Sequence, residues 1–108
     1  MKNRSKYGNV KTVVDGITFD SKKEAQHYSD LKWREKAGQV EDIQLQPVFP
    51  VTINGIKVFT YRADFSYVDI SGRTPCDVVV DVKGVKTSLY RVKKKCVEAQ
   101  YGIKIVEV

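Results

Sequence analysis

The run Cys76–Lys83 constrains this chain most, because Val78, Val79, Val80 and Val82 make it the most strongly β-forming segment and place it in the interior of a sheet. Ser71-Gly72-Arg73-Thr74-Pro75 ahead of it reads as a turn. Upstream, Lys57–Asp69 alternates Tyr61, Ala63, Phe65 and Tyr67 on one face with Arg62, Asp64 and Ser66 on the other, the period of one half-buried strand. Asp20-Ser21 offers N-cap oxygens to a helix that runs from Lys22 to Ala37 and ends at Gly38. A second helix begins near Thr87-Ser88, gathers Leu89, Val92, Cys96 and Ala99 on its apolar stripe, and stops at Gly102. Val40 to Val51, interrupted by Pro47 and Pro50, suits an edge strand or irregular stretch, and Ile103, Ile105 and Val106 suit a last strand. Asp15-Gly16 closes a short hairpin and Asn54-Gly55 a further turn. The order is helix, three strands, helix, strand, which defines an α/β chain with a mixed sheet and helices against it.

A chain of 108 residues supports a single core. One domain is therefore expected over 13–108, preceded by a flexible basic arm over 1–12 that carries Lys2, Arg4, Lys6 and Lys11 without an acid. Nineteen Lys and Arg against thirteen Asp and Glu give a formal charge of +6. That excess attracts a polyanion, nucleic acid first, or simply keeps the protein soluble. No apolar run approaches the roughly twenty residues of a membrane span, and the first ten residues hold no signal-peptide core, so a cytoplasmic protein is expected. Cys76 and Cys96 stand apart and His27 is the lone histidine. A structural zinc site lacks ligands, and Cys-His or Ser-His-Asp catalysis lacks partners, so the cysteines are expected to pack as small apolar residues. Any chemistry must rest on carboxylates and lysines.

Asp81 and Lys83 interrupt the apolar strand on one face, opposite Val80 and Val82. Burying an acid and an amine where a sheet expects valine costs several kcal/mol unless they are paired, metal-bound or wet. A plain ion pair at the strand end would satisfy them equally well. Asp64 adds a constraint, since an antiparallel neighbour joined through the 70–75 turn can bring it beside Asp81. Two converging carboxylates repel unless a divalent cation lies between them, and oxygen-only ligands favour Mg²⁺ or Mn²⁺; alternatively Asp64 pairs with Arg62 or a lysine. Glu24 completes a Ser21-x-x-Glu24 capping box, yet lies within about 40° of Tyr28 and Leu31 on the core-facing stripe. Both roles stay open.

These residues resemble the PD-(D/E)XK nuclease superfamily, whose pattern is a helical Glu, an Asp on one strand, and Asp or Glu, any residue, Lys on the next. Glu24, Asp64 and Asp81-Val82-Lys83 occupy those positions. Phe19–Glu24, Gln46-Pro47, Tyr61–Phe65, Val80–Gly84 and Tyr101–Lys104 look more specifically like small phage-encoded endonucleases, over nearly the whole chain from Lys6. Relatives within the superfamily include Holliday-junction resolvases, restriction enzymes and transposon-end endonucleases. Ala63 departs from the pattern by replacing the proline before the first Asp, a position that contributes no ligand.

The resemblance implies a restriction-endonuclease-like core and a Mg²⁺-dependent endonuclease that hydrolyses DNA in phage replication, recombination or processing, within a phage-infected or prophage-bearing cell. It implies that Asp64 and Asp81 hold the metal, Glu24 completes or orients the site, and Lys83 positions and activates the attacking water. DNA backbone contacts are expected from Lys2, Arg4 and Lys6 in the arm and from Tyr90, Arg91, Lys94 and Lys95, which lie off the expected stripe of the second helix. The rival readings are a non-catalytic DNA-binding module on the same fold and an RNA nuclease. The recognition surface would lie in loops and, for a homodimer, at the subunit interface.

Overall fold

The computed structural model describes residues 11–82 and 86–108. Asp15 and Gly16 take φ values of 53° and 76°, the left-handed geometry of a tight hairpin turn, and join β1 (Thr12–Val14) to β2 (Ile17–Phe19). Helix α1 (Lys22–Lys36) follows, with Ser21 as N-cap: its Oγ accepts the N–H of Glu24 at 3.1 Å. Ala25, Tyr28 and Leu31 form its buried stripe, and Gly38 turns the chain out with φ 76°. The remaining elements are β3 (Val40–Leu45), β4 (Val48–Ile53), β5 (Ile56–Arg62), β6 (Phe65–Asp69), β7 (Cys76–Asp81), α2 (Ser88–Tyr101) and β8 (Ile105–Glu107). No helix among the described residues is long and apolar enough to cross a membrane.

A four-stranded mixed sheet in the order β3-β6-β7-β8 is the centre of the molecule. The β3/β6 and β6/β7 pairs are antiparallel, while β7 and β8, joined through α2, are parallel. The valine run thus lies in the interior of the sheet, as its composition demands. Alternation along β7 sends Val80 into the core beneath α1, with Leu31, Val40 and Phe65, and Val79 into a second core with Val97 of α2 and Ile105. The chain is α/β, with one helix on each face of a mixed sheet.

Three expectations from the sequence need correction. The stretch Lys57–Asp69 is not one strand but two, broken at Ala63-Asp64. Its burial alternates as predicted, yet Tyr61 and Ala63 belong to the α2 core whereas Phe65 and Tyr67 belong to the α1 core. The reason is a local bulge. Asp64 N–H bonds to the carbonyl of Val80, the residue that Phe65 already faces across the ladder, so two residues share one partner and the strand changes face.

Helix α2 is also turned by about one residue, roughly 100°, from its expected orientation. Leu89 and Val92 are 63% and 59% exposed, and Ala99 is exposed, while Val97 is fully buried and Tyr90 packs against the second core. Cys76, finally, is exposed rather than packed, and Cys96 is half-buried beside the α2 core.

Beyond the bulge, β4 and β5 continue the β3/β6 pair as a two-stranded ribbon. Gln46 N–H to Asp64 O and Ala63 N–H to Pro47 O carry the ladder across the junction. The ribbon pairs with neither β7 nor β8. The sheet therefore forks at Asp64, with the ribbon on one side and the end of β7 on the other.

Candidate active site at the fork of the sheet

Each expected carboxylate has a definite place at this fork. Asp64 lies on the bulge, one residue before Phe65, and Asp81 one residue past Val80, Phe65's ladder partner, so both acids occupy the same end of the β6/β7 pair. Where the ribbon leaves β7, Asp64 Oδ2 accepts the N–H of Val82 at 2.7 Å. A side chain thus replaces the backbone acceptor that a continuing strand would have supplied. Glu24, half-buried in the first turn of α1, lines a cavity of about 170 Å³ together with Asp64, Gln46, Phe65 and residues 17–20. The structure therefore brings Glu24 and Asp64 to one cavity.

Asp81 is fully buried but does not line that cavity. By alternation it shares the face of Val79, toward α2, and its parallel-ladder partner is Glu107. Val108 N–H bonds to the Asp81 carbonyl at 3.0 Å and holds the two strands together there. Tyr90 of α2 lies over this pair: its hydroxyl donates to Glu107 Oε2 at 2.7 Å, and its ring sits 6.4 Å from that of Tyr61. Burial, the bond to Glu107 and the charge of Asp81 together push the Tyr90 hydroxyl well above the ordinary tyrosine range. The same bond, with Lys94 and Lys86 nearby, holds the Glu107 carboxyl below the usual carboxylate range despite some burial.

Two features beside the cavity had no functional reading in the sequence. Gln46 adopts φ 51°, a left-handed conformation unusual for glutamine, at the junction where β3 becomes β4. His27, three residues after Glu24, rests against Phe65 with ring centroids 5.2 Å apart, and its Nε2 is buried without a hydrogen-bond partner among the described residues. Burial, offset by the charges of Asp30 and Asp64 and reinforced by Arg34, lowers its pKa from the ordinary value. A capping residue three positions before a histidine gives no hint of this, because the neighbour on β6 arrives only through the fold.

The basic helix divides differently from the expected set. Tyr90 is bonded to Glu107, and Lys94 pairs with Glu107 at 3.5 Å and Glu98 at 4.0 Å, so neither stands free for DNA as their place off the expected stripe suggested. Arg91 and Lys95 remain exposed and line a shallow groove with Lys86 and Val92. Lys83, and Lys2, Arg4 and Lys6 of the arm, lie outside the described residues.

The donor set is carboxylate oxygen, the chemistry that suits Mg²⁺ or Mn²⁺. Among the described residues no three His, Cys, Asp or Glu side chains are grouped closely enough to hold a metal. Glu24 and Asp64 line one cavity, whereas Asp81 is buried on the α2 side at the same sheet end, so the residues present fit such an ion in donor chemistry, with Glu24 and Asp64 the pair placed at the cavity.

A family described as a protein of unknown function (DUF1064) matches residues 4–106, and the chain belongs to that family. No curated protein and no solved structure matches the chain.

Proposed function

We propose that the chain is a divalent-cation-dependent endonuclease that hydrolyses DNA phosphodiester bonds, built on a restriction-endonuclease-like fold of the PD-(D/E)XK kind. The observation that carries this reading is the position of Asp64 at the fork, facing the Glu24 cavity and bonded to the N–H of Val82, the residue between Asp81 and Lys83. Helical Glu24 and Asp64 of the fork thereby share a cavity at the sheet end where Asp81 closes β7, the chain order in which the sequence pattern has its acids. Asp64, Asp81 and Glu24 would hold Mg²⁺ or Mn²⁺, which when bound makes water more acidic and stabilises charge on phosphate oxygens. Lys83 would place an ammonium near the developing negative charge and help orient the attacking water. Exposed Arg91 and Lys95, with the basic arm, would bind backbone phosphates and help hold the scissile bond at the fork. Such an enzyme would meet its DNA in the cytoplasm of a phage-bearing bacterial host.

The test is a cleavage panel over single-stranded, duplex, nicked and branched DNA and over RNA, with Mg²⁺ or with chelator, comparing the wild type with Asp81→Asn. Metal-dependent cutting of DNA that the variant lacks is the expected result. Salt-sensitive binding without cutting under every condition would leave a non-catalytic DNA-binding module, and preferential cutting of RNA would reassign the substrate.

A further inference from the structure

Trp33, the only tryptophan of the chain, is 71% exposed, although large aromatic rings ordinarily serve a fold by being buried. At about 100° per residue it lies on the side of α1 opposite Glu24, Tyr28 and Leu31, facing away from the sheet. Lys22, Gln26, Ser29, Trp33 and Lys36 fall within roughly 80° of one another there, an outward stripe with a lysine at each end and no acid. The neighbouring acids of the helix are engaged. Asp30 Oδ1 accepts the Gln26 side-chain amide at 3.0 Å, and Glu35 pairs with Lys32 at 2.8 Å. Lys22 and Lys36 enter no ion pair among the described residues.

Lys36 Nζ lies 5.3 Å from the Trp33 ring centroid, and both residues, with Lys32, face Val14 and Asp15 of the β1–β2 hairpin across a groove of about 200 Å³. A π surface with an ammonium beside it offers a nucleotide what its two parts need, a ring for the base and a cation for the phosphate. An apolar protein partner would call for an aliphatic rim in place of the lysines, and a second copy would bring the same lysines to the same groove. A duplex hides its base faces inside the stack, so only an unpaired base reaches the ring. We propose, resting on the reading of the chain as a nuclease acting on DNA, that Trp33 is a stacking platform for an unpaired base of the substrate, with Lys22 and Lys36 on the backbone phosphates along the stripe. Along α1 the ring stands about 13 Å beyond Glu24, and on the far side of the helix, so the stacked base lies roughly four nucleotides or more from the scissile bond. The substrate this selects is DNA with a single-stranded segment flanking the cut.

Because Trp33 is the only tryptophan, its fluorescence reports on this site alone. The full chain is titrated in chelator, where nothing is cut, with oligothymidylate, with a blunt duplex of equal length and with oligouridylate. Oligothymidylate should quench the emission and the duplex should not. By anisotropy of a labelled oligothymidylate, Trp33→Ala should bind roughly 5- to 150-fold more weakly, the range for one base stacked on one aromatic ring, while Trp33→Phe keeps most of the affinity. The duplex should bind both variants as it binds the wild type. Unquenched emission of the wild type overturns the proposal without any variant, and so does a Trp33→Ala chain with wild-type affinity for the single strand. Equal losses on single strand and duplex overturn the unpaired base, stronger quenching by oligouridylate overturns DNA as the occupant, and emission that shifts with protein concentration alone gives the groove to a second copy. A wild type that cuts DNA with Mg²⁺ yet shows no quenching sinks this inference and leaves the nuclease reading standing. Quenching as expected without cutting under any condition sinks the nuclease reading and leaves the stacking site.

Discussion

The Asp64 carboxylate accepts the backbone N–H of Val82 at 2.7 Å, linking the point where the ribbon departs to the residue that follows Asp81. The bond gives Asp64 a structural duty alongside its proposed catalytic one, and the two can be separated. Asp64→Asn retains an acceptor for Val82 but loses the charge. It should keep most of the wild-type stability and lose metal-dependent cleavage. Asp64→Ala removes the acceptor too and should cost roughly a further 1–3 kcal/mol in urea unfolding, the range for leaving a buried donor, here the Val82 N–H, unsatisfied. Equal stability of the two variants would show that the bond contributes nothing at the fork.

Asp81→Asn preserves shape at a fully buried position and should leave folding and DNA affinity largely intact while abolishing turnover. Lys83→Ala should lower kcat and retain some metal binding. Full activity of purified Asp81→Asn would sink the catalytic assignment, and an unchanged kcat for Lys83→Ala would reduce that lysine to an ion-pair partner.

Glu24 can be tested against its place in the first turn of α1. Ser21 Oγ takes the Glu24 N–H whatever the side chain at position 24, so the Ser21 half of the cap survives substitution. Glu24→Gln keeps hydrogen-bonding capacity and removes charge from the cavity. Cleavage assays and thermal melts should show lost activity at nearly unchanged Tm. An active Glu24→Gln beside a merely less stable Glu24→Ala would assign the residue to helix capping alone.

DNA grip on α2 should come from Arg91 and Lys95, the exposed pair, rather than from Lys94. For duplex DNA each lost phosphate contact flattens the slope of log affinity against log salt by roughly 0.9, so Arg91→Ala with Lys95→Ala should lose nearly 2 units or about that. Lys94→Ala should instead lower stability modestly, through its lost pairs with Glu98 and Glu107, with little change in slope. A larger slope change from Lys94→Ala than from the double variant would reverse this division.

His27 predicts an acid-side loss of stability. Burial lowers its folded-state pKa, so the unfolded chain takes up the proton first as pH falls. The contribution is complete above the ordinary histidine value of about 6.5 and is lost as pH drops through it, levelling off below the depressed folded value. The Tm gap between wild type and His27→Gln should therefore shift against the wild type between about pH 8 and pH 5. A gap that does not change with pH would mean that the imidazole carries no such linkage.

The sequence by itself determined whatever depends on a residue's own conformational limits or on period along one element. Asp15-Gly16 and Asn54-Gly55 had to turn, Gly38 and Gly102 had to end helices, Ser21 had to cap α1, and the valines of β7 had to lie inside the sheet. That Glu24 lies in the first turn of a helix and Asp81 on an interior strand was legible for the same reason, whereas Asp64 was expected on a strand and lies at its break. Tertiary structure decided what depends on partners distant in the chain. The bulge at Asp64 arises because Asp64 and Phe65 both face Val80, one through its N–H and the other as ladder partner, and a period of two along Lys57–Asp69 cannot reveal a change of face. The rotation of α2 follows from Tyr90 finding Tyr61 and Glu107, and from Lys94 finding two carboxylates, so that residues polar in composition turn inward and Leu89 and Val92 turn out. Helical periodicity marks candidate stripes, but burial follows the stripe whose side chains meet complementary partners, and only the packed sheet supplies those.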